Sequence, residues 1–188
     1  MTQLEYTLAL TGSGGAGVVV TGEMLLQAAG RDGYFGLMRR SFGPQIRGGE
    51  SASMLTIGLD TVERITHRVD LLVAFDWNNF NRFEDEIGLD NTSIILCDEI
   101  AGAPPASFAE QNLNVQQLPL SEAANKTEGA RINMVALGFI GAWLGVSKAS
   151  LLASANQRFQ KKGAQILSQT NTKIELGYDL GENYLNEN

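Results

Sequence analysis

The run "YTLALTGSGGAGVVVTGEMLLQAAG" (6–30) constrains the fold more than any other part of this chain. Residues 6–10 form a short apolar strand pattern, and residues 11–17 are rich in glycine. Val18, Met24, Leu25, Ala28 and Ala29 then share one broad face of a helix over 18–30. Gly30 or Gly33 marks its end. "YFGLMRR" (34–40) reads as a second strand. Strand, glycine loop, helix and strand in that order predict the first βαβ unit of a parallel sheet.

Gly12, Gly14 and Gly17 fit the pattern G-x-G-x-x-G, with Ser13, Gly15 and Ala16 between them. Between a strand and a helix, such glycines let backbone N–H groups reach an anion. The helix adds the positive end of its dipole, and Ser13 adds a hydroxyl. The same glycines also suit a tight turn with close helix–sheet packing, and both readings stand. An NAD site wants an acidic residue at the end of the second strand. Arg39 and Arg40 stand there instead. That disfavours NAD and permits a ligand with a further phosphate on its ribose, such as NADP or coenzyme A.

Beyond this unit, "SASMLTIGL" (51–59), "ERITHRV" (63–69), "DLLVAFD" (70–76) and "TSIILCDE" (92–99) read as strands, and "LNVQQLPL" (113–120) as an edge strand. "NNFNRFEDEIG" (78–88) reads as a helix, and "AGAPPASF" (101–108) as a loop. The remainder reads as helical in three stretches, 121–129, 131–145 and 147–171, with a polar, acidic surface tail over about 178–188. The expected fold class is α/β, one domain over 1–188, with a mostly parallel sheet sandwiched by helices and a helical C-terminal third.

Composition excludes several functions. With 14 basic against 21 acidic residues and a net charge of −7, the chain lacks the basic balance of a general nucleic-acid binder. The longest apolar stretch, 134–146, is too short to span a bilayer, and "MTQLEYTLAL" has no basic signal-peptide start. Cys97 is the only cysteine and His67 the only histidine. An internal disulfide, a thiolate zinc site and an iron–sulfur cluster are therefore ruled out for this chain, and a reducing cytoplasm is the expected setting.

Three arginines, Arg39, Arg40 and Arg47, fall within "RRSFGPQIRGGES" (39–51). The loop starts at the carboxyl end of the second strand, where open α/β sheets bind ligands, and should lie near the glycine loop. Gly48 and Gly49 leave backbone free beside Arg47, and Ser51 closes the segment. Arg47 suits a phosphate or a partner's carboxylate.

Four signatures occur in order: "GSGGAG", "SFGPQIRGGES", "VDLLVAFD" and "GARINMVALGFIGAWLG". Together they resemble the gamma subunit, or gamma domain, of the 2-oxoacid:ferredoxin oxidoreductases. The closing "FQKKGAQILSQTNTKIELGYDLG" resembles the end of that domain. One position departs, since family members often carry Glu after the Gly-Pro pair and this chain has Gln45. The resemblance implies a complex that oxidatively decarboxylates a 2-oxoacid, forms acyl-coenzyme A and reduces ferredoxin. It implies alpha and beta partner subunits, with a ferredoxin-like delta subunit as a further candidate. Thiamine diphosphate, its magnesium and the four-iron clusters are expected only on those partners. Coenzyme A is expected at the glycine loop, as in related pyruvate enzymes, with Arg39, Arg40 or Arg47 available for its further phosphate. Alone, such a chain catalyses nothing.

Other residues have plainer roles. His67 reads as a surface or sheet-end residue, and Asp76 as a helix N-cap near the ligand edge. Cys97 reads as a buried small hydrophobe. Asn133 is placed to bind a neighbouring loop or subunit. Gly138, Gly141 and Gly145 line one helix face, to let the sheet or a partner approach closely. Two competing functions remain: an NADP-dependent reductase built on the glycine loop, and a ligand-free module whose arginine loop binds a partner.

Overall fold

The computed structural model of the protein describes residues 5–43, 49–78, 80–129 and 131–187. Six strands form the sheet: β1 (Glu5–Ser13), β2 (Phe35–Phe42), β3 (Glu50–Gly58), β4 (Leu71–Ala74), β5 (Ile94–Asp98) and β6 (Val115–Leu118), in the order β2-β3-β1-β4-β5-β6. β1, β4, β5 and β6 are parallel neighbours, and β3 runs antiparallel to both β1 and β2. The first βαβ unit thus exists, but β3 lies between its two strands. A nine-residue strand buried at every position suits that interior place.

The helices are α1 (Val18–Arg31), α2 (Ala106–Glu110), α3 (Leu120–Asn125), α4 (Ile132–Leu144), α5 (Lys148–Phe159) and α6 (Ala164–Glu187). Strand side chains alternate between two apolar clusters. Leu8, Leu10, Leu55, Leu71, Val73 and Leu96 face α1, α4, α5 and α6. Ala9, Met54, Leu72, Ile95 and Cys97 face Trp77, Phe80, Phe83, Ile87 and Phe108. The second face is covered by α2 and an irregular strap rather than by long helices.

That strap corrects two expectations. Residues 63–69 form no strand; Arg68 makes a single bridge to Gly88. The described residues of 78–88 form no α-helix, only a 3-10 turn at Phe80–Arg82 within a chain of tight turns. Phe80 N–H donates to Trp77 O at 3.2 Å, and Phe83 N–H to Phe80 O at 2.8 Å. A three-residue apolar spacing serves either geometry, and packing of Trp77, Phe80 and Phe108 edge to face fixes the tighter one.

Two further corrections concern the C-terminal third. The 147–171 stretch breaks between α5 and α6, and the expected tail forms the last turns of α6, ordered by Gly177, Gly181 and the Tyr184 ring against α4. Gly138 and Gly141 of α4 meet neighbouring helices rather than the sheet. Gly138 lies against the backbone of α6, and Gly141 against Leu151 of α5. Gly145 is the C-cap of α4.

Asp32, just after α1, holds the start of α5. Its carboxylate accepts the Ser147 N–H at 2.6 Å, the Ser147 hydroxyl at 3.0 Å and the Ser150 hydroxyl at 2.5 Å. Burial raises its pKa, but the hydrogen bonds from Ser150 and Ser147 outweigh that and hold it below the usual 3.8. A lowered carboxylate pKa contributes stability above the unfolded value, and that contribution is lost as pH falls through the folded one. Asp32→Asn should therefore flatten the acid arm of the stability profile below about pH 4. Urea titrations at stepped pH check this; identical slopes for the two proteins would contradict it.

Candidate functional site

The glycine loop leaves the carboxyl end of β1 and turns at once. Ala16 N–H donates to Ser13 O at 3.0 Å, with Gly15 at φ 92 in the third position of the turn. Gly17, at φ 90, is the N-cap of α1. A Cβ there would run into the Asn133 side chain, so glycine is required both for the backbone and for the approach of α4. The Thr21 hydroxyl lies 3.0 Å from Gly17 O and 3.3 Å from Asn133 O, tying the two helix starts together. The bond to Thr21 is made by the Asn133 backbone; its side chain packs against Gly17 at the end of the glycine loop.

A cleft of about 420 Å³ opens beside this junction, lined by Gly15, Ala16, Phe75, Asp76, Asp98, Ile100, Ser121, Arg131, Ile132 and Asn133. It lies off the carboxyl ends of β1, β4 and β5, where the chain crosses to opposite sides of β1. α1 and α4 both bring N-termini to it, and neither has a side-chain cap or an acidic residue in its first turn. Their unpaired N–H groups and dipoles favour an anion. Arg131 is the lining cation, and its guanidinium stands over the Phe159 ring at 5.9 Å.

Two carboxylates also line the cleft, each already supplied with donors. Asp76 accepts the Ser13 N–H at 2.9 Å, the Ser13 hydroxyl at 3.1 Å and the Asn78 N–H at 3.0 Å. It caps no α-helix; it anchors the glycine loop to the end of β4. Asp98 is buried and accepts the Ser121 N–H at 2.9 Å and the Ser121 hydroxyl, capping α3. Ser13 spends both donors on Asp76 and the Ala16 N–H is spent on Ser13 O, so the N–H groups the turn can still offer a ligand are those of Gly15 and Gly17.

The arginine segment divides. β2 and β3 place Gly43 and Glu50 at the same sheet edge as Ser13, with Ser51 paired to Gly12. The hairpin and the glycine loop are therefore neighbours, as their order suggested. Gly49 lies in the hairpin; Arg47 and Gly48 lie outside the described residues. Arg39 pairs with Glu86 at 3.4 Å, and Arg40 with Glu23 of α1 at 2.9 Å. Neither lines the cleft. His67 is exposed, with Nε2 3.1 Å from Asp85 O.

Sequence reasoning missed three residues here. Arg131 lies inside the quoted "GARINMVALG" signature, just before a helix start, and that position was its only signal. Ser121 gave none. The third is Arg82, whose Nη1 lies 2.5 Å from Oε1 of Glu50, a carboxylate with only 2% of its side chain exposed. Arg82→Ala should cost about 3 kcal/mol by stranding that buried charge. Adding Glu50→Gln should recover most of the loss. Urea denaturation of both variants checks it; an unrecovered loss would contradict the pairing.

The fold and cleft define an α/β protein with a cleft at the switch point of its sheet. Residues 7–180 match the family described as Pyruvate ferredoxin/flavodoxin oxidoreductase, and the chain belongs to that family. It is 23% identical over 181 residues to the 2-oxoglutarate synthase subunit KorC of Archaeoglobus fulgidus, covering 94% of this chain and 88% of that one. It is 32% identical over 136 residues to the ketoisovalerate oxidoreductase subunit VorA of Methanothermobacter thermautotrophicus, covering 71% of this chain and 27% of that one. Among solved structures, its fold is similar to the 2-oxoglutarate:ferredoxin oxidoreductase from Magnetococcus marinus with 2-oxoglutarate, coenzyme A and succinyl-CoA bound. That match has a TM-score of 0.82 and 22% identity, covering 96% of this chain and 32% of that one. It is also similar to the keto/oxoacid ferredoxin oxidoreductase gamma subunit from Geobacter sulfurreducens, with a TM-score of 0.73 and 23% identity, covering 95% and 97%. No helix among the described residues is long and apolar enough to cross a membrane.

Proposed function

We propose that this chain is the coenzyme A-holding gamma subunit of a complex that oxidatively decarboxylates a 2-oxoacid, transfers the acyl group to coenzyme A and reduces ferredoxin. The observation that carries the reading is the convergence of two uncapped helix N-termini, the glycine turn and Arg131 on one cleft. A diphosphate suits that set. Its oxygens take the N–H groups of Gly15 and Gly17 and of the α4 start, and Arg131 supplies a charge-assisted partner. Arg47 and Gly48, in the sequence between β2 and β3, are the candidates for the further phosphate of coenzyme A.

The chain's own part is binding and orientation. Thiamine diphosphate and the iron–sulfur clusters supply the decarboxylation and electron transfer on alpha and beta partners. The sole cysteine here, Cys97, is buried in β5 and burial pushes its thiol pKa up. Bound coenzyme A presents its thiol to chemistry on a neighbouring subunit. The test is calorimetric titration of coenzyme A, beside NADPH, into the assembled complex. Saturable binding of coenzyme A alone supports the reading; binding of NADPH instead would favour the reductase.

A further inference from the structure

Behind the cleft sits a lysine that the fold has no packing reason to keep. Lys173, on α6, is 1% exposed. It makes no ion pair among the described residues. Its ammonium donates to the Thr127 hydroxyl at 2.6 Å and to Glu128 O at 2.7 Å. A buried charge without a counter-charge is costly, and an apolar chain of similar length would fill the space at less cost. Burial pushes its pKa below the ordinary 10.5, and the charge of Arg131 pushes in the same direction, so the two cations are electrostatic neighbours.

Both partners of Lys173 lie at one place, the start of the connector from α3 to α4. Gln165 and Gln169 stand two turns and one turn earlier on the same face of α6, and their amides donate to the Glu128 carboxylate at 3.4 and 3.2 Å. Three donors at four-residue spacing thus hold residues 127 and 128. Arg131 follows three residues later, at the mouth of the cleft. Three residues span at most about 10 Å, so fixing Glu128 limits where Arg131 and the start of α4 lie.

We propose that Lys173 is the positioning residue of this cleft: its buried ammonium fastens the 127–128 turn and so holds Arg131 and the α4 N-terminus where the phosphates of coenzyme A bind. This rests on the reading of the cleft as the coenzyme A site. Lys173 touches no ligand; it acts through Arg131, and its charge adds to the positive potential there.

The experiment is steady-state kinetics of the assembled complex, varying coenzyme A and the 2-oxoacid separately. Lys173→Met should raise the KM for coenzyme A about tenfold, while kcat and the KM for the 2-oxoacid stay within about twofold. Arg131→Ala should raise the same constant. The double variant should fall short of the product of the two single effects, because Lys173 acts in large part through Arg131. Thr127→Val, which removes one acceptor without touching α6, should give a smaller rise and decides the matter if Lys173→Met does not assemble. If Arg131→Ala raises the KM for coenzyme A but Lys173→Met or Thr127→Val leaves it unchanged, the positioning role is wrong and the cleft reading stands. If Lys173→Met lowers kcat or shifts the 2-oxoacid constant equally, its role is general stability and the proposal falls. If Arg131→Ala itself has no effect, the cleft reading falls and takes the proposal with it.

Discussion

Gly177→Leu should prevent the chain from folding, with a loss of more than about 4 kcal/mol. α4 and α6 meet through their backbones. A Cβ at Gly177 would strike the carbonyl of Val135, and one at Gly138 would strike the carbonyl of Ile174. Backbone cannot swing aside as a flexible side chain can, so even Gly177→Ala should destabilise. Its overpacking cost of about 1–3 kcal/mol exceeds the roughly 1 kcal/mol that alanine gains over glycine in a helix. Gly30 provides the contrast. It sits near the end of α1 with nothing within 4 Å of an added Cβ. Gly30→Ala should stabilise by up to about 1 kcal/mol. Urea denaturation of the three variants checks the set. Equal effects at Gly177 and Gly30 would mean that the glycines of α6 are not there for packing.

Arg131→Glu should raise the KM for coenzyme A at least about 100-fold while leaving the KM for the 2-oxoacid unchanged. A charge-assisted hydrogen bond to phosphate contributes about 1.5–3 kcal/mol, and reversing the charge adds repulsion to its loss. The fold should tolerate the change. Among the described residues, the side chain's ring contact is the face of Phe159, worth about 0.5–1 kcal/mol at an exposed site. A KM for coenzyme A within about twofold of the parent's would remove Arg131 from the site.

The parts of the fold legible in the sequence were the local ones. The glycine loop announced itself because strand, turn and helix are contiguous, and the apolar run "YTLAL" and the period of α1 need no distant partner. The neighbouring of the arginine hairpin and the glycine loop also followed, since β2 ends at the ligand edge whichever strand lies beside it. The insertion of β3 between β1 and β2 did not follow, because strand pairing is decided by contacts far apart in sequence. The strap over 63–88 misled for a related reason: its apolar spacing fits a helix or a series of tight turns, and only the aromatic packing decides. Arg39 and Arg40 illustrate the same limit at the site. Their position marked a ligand edge, but Glu86 and Glu23, 47 and 17 residues away in the chain, pair with them. Arg131 and Lys173 were invisible as a pair because α6 brings them together from 42 residues apart.

The most direct measurement is coenzyme A titration into the assembled complex carrying Gly15→Asp, beside the parent. Gly15 has open space around an added Cβ, so the Asp side chain strikes nothing, although its φ of 92 strains any residue but glycine. The substitution therefore places a negative charge at the cleft without a clash, and assembly of the complex shows that the strained loop is tolerated. At an effective dielectric constant of 20, a phosphate charge about 5 Å away meets a repulsion of about 3 kcal/mol, more than 100-fold in affinity. Loss of coenzyme A binding in a complex that still assembles is the expected result. Unchanged binding in that complex would mean that the glycine loop only packs, and that the coenzyme A site lies elsewhere.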